Sequence, residues 1–333
     1  MSIVGVIANP ASGKDIRRLV AQGRFITNQE KVNILKSIFV GLDSIDIGRV
    51  VAMPDSGMLC KRAEEGLDLS FEVEELDMIV FNEEKDSTNA AKLMTNMGVE
   101  CLITLGGDGT NRAVVKGSRS VPIVPVSTGT NNVFPKLEEG TIAGMAAGLI
   151  ARKLVDIERV STINNVLEVV QEDIVSDIAL IDVAVSKERF IGARAIWDID
   201  TIHELFLSEF LPGSIGLSSI GAQLGYTGND EFLGMHLKIG PGGIEVLAPV
   251  APGKVVRVPI KEWRTLKIGE RVNIIPRPCT VALDGERNFS LQLCQEAYIF
   301  LSDRGPRVVS TVAVMREAAN AGIFKRGRNS DGI

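Results

Sequence analysis

Three short stretches in the N-terminal half bring glycines, hydroxyls, amides and a carboxylate together. The first is Asn9-Pro10-Ala11-Ser12-Gly13-Lys14-Asp15, the second Gly106-Gly107-Asp108-Gly109-Thr110, the third Ser127-Thr128-Gly129-Thr130-Asn131-Asn132. Each follows an apolar run, and such a loop at a strand end can turn backbone N–H groups toward an anion. Glycine lets the main chain approach a phosphate with no Cβ in the way. The second stretch is the most pointed. A carboxylate among glycines, followed by a hydroxyl, makes a corner where Asp108 could take a hydroxyl proton or help hold Mg2+ beside a polyphosphate. The plainer alternative is an Asp-Gly turn in which Asp108 caps the following helix. Three such loops on one sheet edge favour the phosphate reading.

A frame must hold these loops at one edge. Strand-type runs at residues 2–8, 49–53, 78–81, 101–105 and 121–126 alternate with helix-type segments at 15–23, 29–41, 56–66 and 87–97. That rhythm predicts βαβ units and a doubly wound parallel sheet, whose ligands bind at the carboxyl ends of the strands. After residue 152 the rhythm changes to short strands punctuated by Pro and Gly, at 166–170, 178–185, 235–239, 244–247, 254–260, 272–275, 280–283 and 297–301. These predict a β-sandwich-like second domain, interrupted by a helical patch at 201–210. Residues 308–321 return to helix-type composition. The expected division is a Rossmann-like α/β domain over 1–153, rejoined by 304–333, and a β-rich domain over 154–303.

Composition narrows the function classes. Among 333 residues, 36 basic and 42 acidic side chains leave a formal net charge of −6, and aromatics make up 5%, which argues against a nucleic-acid binder. Hydrophobic residues, at 45%, suffice for a buried core. Cys60, Cys101, Cys279 and Cys294 are too far apart for a CxxC motif, and a reduced, intracellular setting is expected. No signal peptide is visible, and the longest small-apolar run, 142–151, is about half of the roughly 20 residues a membrane span needs. A cytoplasmic protein without membrane or nucleic-acid partners is the expectation. Walker A, protein-kinase and dinucleotide glycine fingerprints are all missing. The two histidines, His203 and His236, lie too far apart in sequence to suggest a His-rich zinc site.

Four motifs together carry a resemblance: Asn9-Pro-x-Ser-Gly13-Lys14, Gly106-Gly-Asp-Gly-Thr110, Gly129-Thr-Asn-Asn132 and Ala282-Leu-Asp-Gly-Glu286. Their order and approximate spacing resemble the NAD kinase/diacylglycerol kinase superfamily, and within it the chain looks most like the acetoin catabolism protein X branch. The resemblance implies a Rossmann-like N-terminal domain, a β-rich C-terminal domain, and ATP with Mg2+ and substrate in the cleft between them. It places Asn9, Pro10, Ser12, Gly13, Lys14, Gly106, Gly107, Gly109, Thr110, Thr128, Gly129, Thr130 and Asn131 at the nucleotide. It places Asn132, Asp182 and Asp284 at the acceptor, Asp108 and Glu286 in catalysis, and Asp108 with Asp284 at the metal. Asp284-Gly285 also has the form of a type I′ hairpin turn. A homodimer or tetramer is what the family suggests.

The acceptor is less legible. NAD kinases carry an Asn-Glu pair in a strand similar to Ala179-Leu180-Ile181-Asp182-Val183, where Ile181 now stands in place of the amide. Losing that partner weakens a site built on sugar hydroxyls, while Gly129-Thr-Asn-Asn132 is closer to the lipid-kinase form. The expected function is an ATP- and Mg2+-dependent kinase acting on a hydroxyl of NAD or another polyol-bearing molecule. A diacylglycerol- or sphingoid-type lipid kinase and a non-catalytic nucleotide or metabolite sensor are the alternatives.

Overall fold

In the computed structural model, residues 2–13, 22, 25–129, 132–188, 199–225 and 233–325 are described. Lys14, Thr130, Asn131 and nearly all of the helix expected over 15–23 lie outside them. Five parallel strands follow the β-branched runs: β1 (Ile3–Ala8), β2 (Arg49–Ala52), β3 (Glu72–Glu75), β4 (Cys101–Gly106) and β5 (Ile123–Ser127). They lie in the order β3-β2-β1-β4-β5, and the sheet is completed by β17 (Arg307–Val309) and β6 (Ser161–Ile163). Helices cover both faces. On one lie α1 (Asn28–Asp43), α2 (Leu59–Glu64), α5 (Gly140–Ala151) and α8 (Thr311–Asn320), against Val4, Val6, Ile103, Leu105 and Val124. On the other lie α3 (Glu84–Asn96) and α4 (Asp108–Gly117), against Ile7, Val51, Leu102 and Ile123. Burial on both faces is why these strands read as unbroken apolar runs.

The chain leaves this sheet after the short helix α6 (Ile157–Val160) and β6, and returns through β17. The two crossings run side by side, with Asn164 N donating to Pro306 O at 3.0 Å. Between them lie two antiparallel sheets. One has four strands, β13 (Arg271–Asn273), β16 (Ala297–Ser302), β7 (Val166–Gln171) and β8 (Ile174–Ala179). The other has six in the order β12-β11-β10-β9-β14-β15: β9 (Asp182–Ser186), β10 (Ile202–Leu207), β11 (Gly234–Ala251), β12 (Lys254–Leu266), β14 (Cys279–Leu283) and β15 (Glu286–Leu291). Leu167, Val169, Val183, Phe206, Val281 and Ile299 fill the space between the two sheets. Beyond β10 a short helix, α7 (Ser218–Ala222), packs on β11.

Three local expectations are corrected. Residues 78–81 are not a strand. β3 occupies Glu72–Glu75 in register with Arg49–Ala52, and Leu76 N makes the last bond to Ala52 O. Beyond it the Asp86 carboxylate accepts from Phe81 N and Glu83 N, and Ile79 and Phe81 are exposed. The helical patch at 201–210 is instead β10, a strand between β9 and β11. Its neighbouring residues face two different cores, and such a run cannot be told from a buried helix by periodicity. Within 308–321, the first residues pair as β17 before Ser310 caps α8. No helix among the described residues is long and apolar enough to cross a membrane.

Candidate active site

Strand order reverses between β1 and β4, and that reversal opens a crevice at their carboxyl ends. Ala8 pairs with Leu105, Gly106 pairs with Ser127, and Asn9 N donates to Leu105 O at 2.9 Å. The three glycine loops therefore emerge side by side from β1, β4 and β5. The Asn9 amide donates to Thr110 Oγ1 at 2.9 Å, and the hydroxyls of Ser12 and Thr128 lie 2.8 Å apart. Gly13 has φ +73°, and a Cβ on it would lie 2.6 Å from the Thr128 carbonyl, so the first loop sits against the third with no room for a side chain.

A lysine organises the first loop from behind. Lys31, on α1, is fully buried, and its Nζ donates to the carbonyls of Asn9, Pro10 and Ser12 at 2.9, 3.1 and 2.8 Å. Because the N–H of a peptide points opposite to its carbonyl, the Gly13 N–H is directed away from Lys31.

The second loop enters α4 directly. Gly107 is its N-cap and accepts from Asn111 N at 3.1 Å, so the N–H groups of Asp108, Gly109 and Thr110 precede the first intrahelical bond. With the helix dipole they turn partial positive charge toward the crevice. Asn111 anchors the turn: its Oδ1 accepts from Thr104 Oγ1 at 2.6 Å, and its Nδ2 donates to Gly107 O at 2.9 Å. Asp108 is half-buried and does not cap its own helix. Its carboxylate accepts from Val133 N at 3.2 Å and from Phe134 N at 3.0 Å, which draws the end of the third loop onto the second. Asn132, held by Ser127 Oγ at 2.7 Å, lies so close to Gly107 and Gly129 that Cβ atoms there would fall 2.8 and 2.3 Å from its Oδ1.

The β-rich part supplies the opposite wall through the turn between β14 and β15. Glu286 reaches the corner: a Cβ on Gly109 would lie 3.5 Å from its Oε1, and its side chain is 32% exposed. Asp284 does not face the cleft, contrary to its expected place at the acceptor and metal. With Asp284 at φ 50° and Gly285 at φ 75°, the turn takes the left-handed form that its sequence allowed. The Asp284 carboxylate is buried inward, accepting from Leu180 N, Ile181 N and Asp182 N at 3.2, 2.8 and 3.4 Å. Burial pushes this carboxyl upward from its ordinary value, against the opposing pull of Arg112 and those three donors. Asp182 is also buried, its backbone N–H and carbonyl both joined to Asp284.

The candidate residues thus separate. Asn9, Pro10, Ser12, Gly13, Gly106, Gly107, Asp108, Gly109, Thr110, Thr128, Gly129, Asn132 and Glu286 gather at one crevice, whereas Asp182 and Asp284 form its support. Among the described residues, no group of three or more His, Cys, Asp or Glu side chains makes a ready metal site. His236 stacks on Phe206 and pairs with Glu204 at 3.1 Å. Two residues escaped the sequence reading. Lys31 shares the spacing of Leu35, Ile38 and Leu42, which puts it on the buried face of α1 and could have revealed it. Arg112, which reaches the β14–β15 turn, carries no local signal.

Residues 4–154 match the ATP-NAD kinase N-terminal domain, and residues 165–304 match the acetoin catabolism protein X C-terminal domain. Acetoin catabolism protein X of Cupriavidus necator is 38% identical over 330 residues, covering 95% of this chain and 92% of the relative. Yeast NADH kinase complexed with NADH aligns with a TM-score of 0.49 at 13% identity, over 99% of this chain and 90% of that one. A diacylglycerol kinase from Bacillus anthracis str. Sterne aligns with a TM-score of 0.43 at 13% identity, over 93% and 97%. The chain belongs to the acetoin catabolism protein X family, with an N-terminal domain of the ATP-NAD kinase type.

Proposed function

We propose that this protein is a kinase that transfers the γ-phosphoryl group of ATP, with Mg2+, to a hydroxyl of NAD or another small polyol-bearing molecule. The observation that carries this reading is the meeting of the α4 N-terminus with Glu286 from the opposite wall, at Gly109. Phosphoryl transfer asks a protein chiefly for positioning and charge neutralisation. The N–H groups of Gly13 and of the first turn of α4 would receive phosphate oxygens. The acceptor oxygen forms a bond to the γ-phosphorus, the bond to the β–γ bridging oxygen breaks, and ADP departs with that electron pair. The hydroxyl proton passes to Glu286, whose side chain is 32% exposed at the crevice, whereas the Asp108 carboxylate already accepts from Val133 N and Phe134 N.

The residues present fit Mg2+, which takes one or two carboxylates together with phosphate oxygens and water. Asp108 would hold it at the corner, without Asp284. When bound, the ion neutralises charge on the phosphates.

The test uses purified protein with Mg-ATP and NAD, then a panel of polyols, following ADP release and the phosphorylated product. ATP is expected to be consumed only with a water-soluble acceptor. Glu286→Gln is expected to abolish transfer while ADP still binds. Turnover only with diacylglycerol or sphingoid vesicles would reassign the acceptor to a lipid, and ADP binding with no turnover on any acceptor would overturn the kinase reading.

A further inference from the structure

Glu286 reaches the Asp108 corner from the far side of the crevice, and one side chain ties the two walls together at that point. Arg112 leaves α4 one turn after Asp108 and is fully buried. Its Nη1 donates to Leu283 O at 2.7 Å and lies 3.6 Å from Asp284 Oδ2. Its Nη2 lies 3.3 Å from Glu84 Oε2 on α3 and 3.9 Å from Glu286 Oε2. A single guanidinium therefore touches the last residue of β14, the turn, the first residue of β15 and the start of α3. Its Nε is buried and has no partner among the described residues.

Burial opposes the guanidinium charge, and the carboxylates of Asp284, Glu84 and Glu286 outweigh that opposition, so Arg112 stays protonated. Stability alone is a weak reason for such a group. Buried ion networks replaced by apolar side chains are often no less stable, and an unpaired buried N–H is a cost. What the fork does supply is geometry, because a planar guanidinium fixes several acceptors in one arrangement. Three of its four partners belong to the Leu283–Glu286 turn.

We infer that Arg112 is a positioning residue that clamps the β14–β15 turn onto α4 and so sets the Glu286 carboxylate over Gly109. The catalytic consequence rests on the kinase reading; the clamp does not.

The test compares Arg112→Met, Arg112→Lys and wild type as full chains. Amide hydrogen exchange is followed at 283–286, with the amides of β4 as internal control. Calorimetry measures Mg-ADP binding, and kcat and KM for ATP are measured with NAD or whichever polyol serves as acceptor. In Arg112→Met, exchange at the turn rises about tenfold or more while β4 is unchanged. ADP affinity stays within about twofold, and kcat falls on the order of 100-fold at constant KM, as expected of a misplaced group. Arg112→Lys recovers part of both effects, because it keeps the charge and loses the fork. A folded Arg112→Met with wild-type exchange at the turn overturns the clamp, whatever the activity. Faster exchange with unchanged kcat overturns the positioning role. If the methionine variant does not fold, the lysine variant decides by the same two readouts. Absence of turnover in the wild type removes the kinase reading alone, and exchange still decides the clamp.

Discussion

The side-chain amide of Asn9 donates to the Thr110 hydroxyl at 2.9 Å, across 101 positions of sequence. This bond joins the loop after β1 to the first turn of α4, and the Ser12–Thr128 pair and the bonds from Val133 N and Phe134 N to the Asp108 carboxylate extend the brace to the chain after β5. The three glycine loops are thus one cross-linked rim. A disturbance in one of them is expected to reach the others, and the following substitutions probe the rim and its supports.

Lys31→Met removes the ammonium that gathers the carbonyls of Asn9, Pro10 and Ser12. Three part-buried acceptors lose a charged donor, and a loss of about 3 kcal/mol in folding stability is expected. Urea unfolding measures the loss, and calorimetry with Mg-ADP is expected to show weaker binding as the first loop loosens. Unchanged stability would mean that Lys31 does not hold the loop.

Asp108→Asn keeps the size of the side chain but replaces one acceptor oxygen with a donor, facing Val133 N and Phe134 N. Turnover is expected to fall roughly 100- to 1,000-fold, in line with loss of the carboxylate that would hold Mg2+ at the transfer corner. Mg-ADP binding is expected to persist in weakened form. ATP turnover at the wild-type rate would remove Asp108 from the reaction.

Acid stability should depend on Glu84. Burial raises its carboxyl pKa, but Arg112 and Lys116 outweigh it and hold the group below its ordinary value of 4.5. A carboxyl depressed in the folded state binds fewer protons there than in the unfolded chain. Its contribution is therefore present above the unfolded pKa and is lost as pH falls through the folded one. In Glu84→Gln, the loss of stability on acidification below about pH 4.5 should be shallower than in wild type, as read from unfolding midpoints across that range. A steeper loss in the variant would contradict the assigned sign.

Thiol reactivity should follow burial. Cys60, Cys101 and Cys279 are buried, and Cys294 is exposed. Burial pushes the thiols of Cys60 and Cys101 well above their ordinary value, and that of Cys279 up to about 11. A disulfide reagent at neutral pH is expected to titrate one thiol rapidly in the native protein and four after denaturation. Two fast thiols would show that a buried cysteine is accessible.

Local patterns along the chain announced the frame and the loops that make up the rim. Unbroken apolar runs such as 101–105 announced strands covered on both faces, and glycine with hydroxyl and amide residues after them marked the loops that gather at one sheet edge. Those signals are local: strand period and turn chemistry are properties of neighbouring residues. Where particular side chains point depended on long-range packing. Asp284 and Glu286 lie two residues apart, yet one turns in to the amides of Leu180–Asp182 and the other out to Gly109. The left-handed turn allows that divergence, but the amides that hold Asp284 come from about 100 positions earlier. Residues 202–207 became a strand because β9 and β11 flank them, and Arg112 became a buried clamp because another sheet delivers its acceptors. In each case the deciding partner is distant along the chain, and folding had to bring it within a few ångströms before the residue's role existed.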